Sequence, residues 1–192
     1  LNTLNGRITG TPSVGGTFNV SISANNQGGP GPASTLVITL SPAAQSISFP
    51  AQTTGSRAYA LGGTFDIDPV AAASSGLPVT YSSKTPSTCT VAGITVTMVA
   101  AGTCTIAANQ GGNASFTVAT EVTRSVTITA TLPGAPVIGA GTPGNNQATI
   151  AFSPPANTGG VPITLYAVSC TPSGTGTGAV SPVVVSGLIN GT

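Results

Sequence analysis

Residues 16 to 40 read GTFNVSISANNQGGPGPASTLVITL, and this stretch decides the fold class. Phe18, Val20 and Ile22 alternate with Asn19 and Ser21, and Leu36, Ile38 and Leu40 alternate with Val37 and Thr39. That is the two-residue period of a strand with one apolar face. Between the two runs, Asn25 to Pro32 supplies a turn, because glycine permits positive φ and proline cannot continue a ladder. The runs are expected to pair as strands.

The pattern begins again after Ser41-Pro42, with Ile47 and Phe49, Phe65 and Ile67, then Val79 and Tyr81, each pair bounded by glycine or proline. A third series follows Leu132-Pro133-Gly134-Ala135-Pro136, with strands expected around Ala148 to Phe152, Ile163 to Cys170 and Val183 to Val185. Turn signals at this spacing predict an all-β chain of sandwiches made from short antiparallel strands. Composition agrees: 26 Gly and 16 Pro, with 31 Thr and 20 Ser, leave little of the chain suited to helix.

Only seven of 192 residues carry a formal charge, and there is no histidine. A net charge of +1 provides no basic field for nucleic acid, which is bound through several Lys or Arg side chains at its phosphates. Apolar residues alternate with Thr and Ser, and nowhere do about eighteen run together, so no membrane insertion is expected. Leu1 to Gly10 lack a basic start followed by an apolar run, so a secretion signal is expected to have been removed or to lie upstream.

Families are resembled by longer stretches. Residues 45 to 131, with SSGLPVTYSSKTPSTCTVAGITVTMVAAGTCTIAANQGGNASF and VTRSVTITA, resemble a bacterial immunoglobulin-like repeat found in tandem in surface proteins. Residues 132 to 192, with PGAPVIGAGTPGNNQATIAFSPPANTGGVPITLYAVSC and VSGLINGT, resemble a bacterial fibronectin type III module. That module often buries a tryptophan, absent here, so Phe152 or Tyr166 is expected to fill its space. Residues 1 to 41 resemble the later half of a putative-immunoglobulin or cadherin-like repeat. The resemblance implies a partial module over 1–41, a complete sandwich over 42–131 and a partial module over 132–192. Its first module lacks opening strands and its third stops before its last two, exposing apolar faces and strand edges with almost no charge to blunt them.

Cys89 and Cys104 flank Ile94 to Val99, each in phase with apolar neighbours on the buried face. A disulfide is expected; two buried thiols are the alternative, and an extracellular composition favours the bridge. For Cys170, the fibronectin-like resemblance implies a partner on the strand after the Asn190-Gly191-Thr192 turn, leaving it unpaired or paired outside the chain. The other reading makes it a small buried apolar residue.

Asp66 and Asp68 are two residues apart, so a strand places both carboxylates on one face, a weak calcium candidate. Calcium takes six to eight oxygens and the third carboxylate, Glu121, is distant in sequence, so solubilising charge is the favoured reading and no metal or cofactor is assigned. Serine-histidine and cysteine-histidine catalysis lack an imidazole. Lys84 could activate a serine, but Ser82-Ser83-Lys84-Thr85-Pro86-Ser87 reads as a turn, and no enzyme is expected. Asn19, Asn113 and Asn190 begin N-x-S/T triplets, which chance explains in so hydroxyl-rich a chain. Arg7, Arg57, Lys84 and Arg124 are too dispersed for a patch. Tyr59, Tyr81 and Tyr166 could form a sugar-stacking platform, but Tyr81 and Tyr166 fall at alternating strand positions, where core packing with a bonded hydroxyl is favoured.

The function expected is a non-catalytic structural segment of a bacterial extracellular or cell-surface fibre or adhesin stalk. Its partners would be neighbouring copies or adjacent modules of the same protein: the favoured reading is a window of a longer tandem array whose flanking sequence supplies the missing strands, and the alternative joins copies through exposed strand edges by strand complementation. The alternative is a carbohydrate-binding or spacer module of a secreted polysaccharide-degrading enzyme. An adhesin tip has no exposed binding motif to support it.

Overall fold

A computed structural model describes residues 14–190, and every regular element among the described residues is a strand. In chain order these are β1 (Gly16–Asn26), β2 (Gly29–Leu40), β3 (Ile47–Ser48), β4 (Ser56–Ala58), β5 (Thr64–Asp66), β6 (Ala72–Ala73), β7 (Thr80–Ser83) and β8 (Cys89–Ala92). There follow β9 (Thr95–Met98), β10 (Gly102–Asn109), β11 (Val122–Thr129), β12 (Val137–Gly144), β13 (Gln147–Ser153), β14 (Tyr166–Ser169), β15 (Thr175–Gly178) and β16 (Val183–Ser186). The described chain is all-β, with short strands in several small sheets. The β1-β2, β3-β6, β5-β9-β8 and β12-β13-β16-β15-β14 pairings are antiparallel, whereas β4 runs parallel to β11 and Ala43 forms a parallel bridge with Phe116.

The sheets are β1-β2, β3-β6, β5-β9-β8, β4-β11-β10-β7 and β12-β13-β16-β15-β14. Packing divides the chain into two units. One holds the described part of Leu1–Pro50 with Pro69–Tyr81 and Ala107–Thr123; the other holds Ala51–Asp68, Ser82–Ile106 and the described part of Arg124–Thr192.

In the first unit, β1 and β2 form a hairpin in the register Phe18↔Ile38 and Val20↔Leu36. The expected turn over Asn25 to Pro32 is shorter: pairing continues past a bulge at Ser23/Asn25 to Asn26↔Gly29, and Pro30 and Pro32 lie within β2. A two-stranded ribbon leaves each strand an outer edge, where a proline costs no ladder bond. The base of the hairpin is anchored, since the Ala43 N–H donates to Ser115 O at 2.8 Å and the Thr117 N–H to Ala43 O at 2.9 Å. Ile47, Phe49, Ala107, Ala108 and Ala119 are buried in this unit. The Phe49 and Tyr81 rings meet at 5.7 Å between centroids, and the Tyr81 hydroxyl accepts the Ala71 N–H at 2.6 Å. Gln110, buried among these residues, accepts the Gln45 side-chain amide at 2.5 Å and the Gly112 N–H at 2.6 Å, so its burial leaves its carbonyl satisfied.

In the second unit, Phe65, Val96, Met98, Ile106, Val126 and Ile128 are buried and come from both the β5-β9-β8 and β4-β11-β10-β7 sheets, with Ile67 buried just after β5. Cys89 on β8 and Cys104 on β10 are disulfide-bonded with Cα atoms 5.6 Å apart, so the bridge ties one sheet to the other. Within the segment from Thr131 on, the Thr131 N–H donates to Gly159 O and the Gly134 N–H to Asn157 O, and the Ala101 N–H donates to Gly160 O and so pins this segment to the core. Gly160 lies at φ +85°, and a β-carbon there would stand 2.6 Å from Tyr59 Cγ. The approach of backbone to ring excludes a side chain at Gly160.

Candidate functional site

No arrangement of titratable side chains makes the most distinctive surface of this molecule; two uncharged sheet surfaces do. All charged residues except Arg7 fall between Arg57 and Arg124, so neither the β1-β2 hairpin nor the β12-β13-β16-β15-β14 sheet carries one.

The five-stranded sheet has only a partial cover. Val183 and Val185 of β16 are buried, whereas β12 is exposed along its whole length and Ile138 is 77% exposed. Pro136, Ile138, Ile150 and Phe152 line an open groove of about 230 Å³ together with Tyr166 and Val168. The Phe152 and Tyr166 rings, both part of its lining, pack at 4.5 Å between centroids. The groove is smaller than the roughly 300–1,000 Å³ of small-molecule pockets and has an apolar lining.

Its two edges differ. The outer strand β12 contains Pro143 and a bulge between Ile138 and Gly141, the devices that blunt an edge. The opposite outer strand, β14, has neither proline nor charge, and among the described residues it pairs with β15 alone. The turn between β12 and β13 is held by Asn146 at φ 55°, whose N–H donates to Asn190 Oδ1 at 2.9 Å, while Asn190 Nδ2 donates to Asn145 Oδ1 at 2.6 Å.

The hairpin is the second such surface. Its paired positions place Phe18, Val20, Ile22, Leu36 and Ile38 on one face and Thr17, Asn19, Ser21, Thr35 and Thr39 on the other. Phe18 is 43%, Leu36 58% and Ile22 66% exposed, so the apolar face is largely uncovered among the described residues.

The remaining expectations can be placed one by one. Asp66 accepts the Thr95 hydroxyl at 2.9 Å and Asp68 the Thr53 hydroxyl at 3.2 Å, both on the surface. No group of three or more His, Cys, Asp or Glu side chains able to hold a metal occurs among the described residues. Glu121 is exposed. Lys84 sits in the turn after β7, where the Ser83 hydroxyl accepts the Thr85 N–H at 3.1 Å and so closes the turn. Cys170 is free and half-buried, directly after β14.

Arg57 on β4 places its guanidinium 4.6 Å from the Phe65 ring centroid, Arg124 lies on β11, and Arg7 lies outside the described residues. Tyr59 is 7% exposed beneath Gly160, Tyr81 packs on Phe49 and Tyr166 on Phe152, so each ring serves its own local packing. Asn113 Oδ1 accepts the Ser115 and Phe116 N–H groups, Asn190 pins a turn, and Asn19 is exposed on β1.

No family model matches the chain, and no curated protein matches it. A crystal structure of titin domains aligns with it at 16% identity and a TM-score of 0.26, over 88% of this chain and 63% of that one. This chain thus spans less than two thirds of that structure, and a superposition so loose adds nothing to the strand order described above.

Proposed function

We propose that this chain is a non-catalytic structural segment of a bacterial extracellular fibre or adhesin stalk, whose subunits join by strand complementation. In this reading the residues form three modules, 1–41, 42–131 and 132–192, the outer two offering sheet edges to a neighbour. One observation carries it: among the described residues the hairpin face and part of the five-stranded sheet are apolar and exposed, and both are free of charge. Soluble proteins ordinarily protect such edges with lysine, proline or a covering element, because an open edge recruits other strands.

The disulfide between sheets accords with an oxidising compartment outside the cytosol. Cohesion, in this reading, comes from interstrand hydrogen bonds reinforced by that bridge. Spacing comes from the bonded joins at Ala43 and at Thr131 to Gly134, which limit the freedom of the segments they connect.

Electron microscopy and sedimentation of the full chain over a concentration series test the proposal. Linear assemblies with a regular repeat are expected. A chain that remains a dispersed monomer up to about 1 mM overturns it, since an interface weaker than about 4 kcal/mol could not sustain a fibre.

A further inference from the structure

We propose that the groove of the five-stranded sheet receives the β1-β2 hairpin of a second copy of this chain, with β1 pairing along the outer edge of β14. The inference rests on the fibre reading above and assigns its two contact surfaces. Phe18, Val20, Ile22, Leu36 and Ile38 would lie over Ile138, Ile150 and Phe152.

The edges select the strands. Of the sheet's two outer strands, β14 lacks the proline and bulge that protect β12. Of the hairpin's two strands, β1 has no proline, whereas β2 carries Pro30 and Pro32. Rows of N–H and C=O groups free of proline and bulge therefore exist on β14 and on β1 from Gly16 to Ser23, ahead of the bulge at Ser23/Asn25, and every pairing already in that sheet is antiparallel. A hairpin alone is marginal in water, so an apolar-faced ribbon gains most from an added strand and a covered face.

Charge and area select the occupant. Neither surface holds an ionised side chain, so bringing them together desolvates no charge, and a polyanion or an acidic peptide would find no counter-charge. β12 and β13 are eight and seven residues long, so a two-stranded ribbon laid along them overlaps for about 25 Å and a width of about 10 Å. With the edge of β14 included, both partners together bury roughly 1,000 Å², about the least a specific interface needs. Assembly should accordingly depend on concentration.

Cys170, one residue beyond β14, reports the pairing. Full chains carrying Cys170→Ser together with Thr17→Cys, Asn19→Cys or Ser21→Cys on β1 are mixed with the unaltered chain, oxidised gently and mapped by mass spectrometry; Thr35→Cys on β2 serves as control. A between-chain disulfide to Cys170 is expected from one β1 register at a yield at least tenfold above the control. Assembly without that preference overturns the hairpin and groove assignment and leaves the fibre reading standing. Absence of any assembly at about 1 mM overturns both. In a chain keeping Cys170 and carrying one β1 cysteine, a cross-link confined to the monomer mass means that the hairpin docks on its own sheet, and the second copy is wrong.

Discussion

Gly160 sits where the loop after Asn157 meets the Tyr59 ring, and both the positive φ and the close approach bar a larger residue. Gly160→Ala is expected to cost about 1–3 kcal/mol from the backbone conformation alone, with the clash added, measured as a lower denaturation midpoint. Tyr81 makes a different kind of contribution. Its ring packs on Phe49 while its hydroxyl accepts the Ala71 N–H, so Tyr81→Phe keeps the packing and strands a donor. A loss of about 1–3 kcal/mol in chemical denaturation is expected; an unchanged midpoint would mean that water replaces the hydroxyl. Tyr81 and Tyr166 could be assigned to packing from their alternating positions alone. Tyr59 could not, because its covering residue, Gly160, is distant in sequence and has no side chain to signal the contact.

Among the elements, those with strict alternation were legible and those rich in glycine were not. The pairing of Phe18 to Ile22 with Leu36 to Ile38 follows from the two-residue period, and the structure keeps it. β12 escapes because Val137–Gly144 interrupts its apolar residues with Gly139, Gly141 and Pro143 and so resembles a turn. β15, Thr175–Gly178, escapes for a steric reason: a β-carbon on Gly176 would lie 2.2 Å from Val184 O, so the strand needs glycine where it passes β16. The strand expected over Ile163 to Cys170 spans only Tyr166–Ser169, with Ile163 to Leu165 in the loop before it. The groove was hidden with them, because Ile138 belongs to a strand that the pattern does not reveal.

The disulfide belongs to this scale also, as it joins β8 to β10 across two sheets. Its sequence separation of 15 gives about 3 kcal/mol by unfolded-state entropy, so reduction should lower the unfolding free energy by about that amount. An unaltered midpoint under reducing conditions would show that the sheets hold without it.

At the scale of the whole molecule the scarcity of charge governs behaviour in solution. With no histidine, the chain lacks the side chain whose ordinary titration falls near neutrality. Folded and unfolded states then bind nearly equal numbers of protons between pH 5.5 and 7.5, and the linkage slope is close to zero there. Stability should vary by less than about 0.5 kcal/mol across that window, a result that denaturant titrations at three pH values can check.

The confinement of Lys and Arg to positions 7, 57, 84 and 124 also determines how digestive enzymes meet the molecule. A trypsin-like enzyme has no cleavage point in residues 8–56 or 125–192, so the ribbon and the groove each survive within a single peptide even after every permitted cut. Unfolded, reduced chains given excess trypsin should yield residues 8–57 and 125–192 as whole peptides, and a shorter tryptic product from either would contradict this.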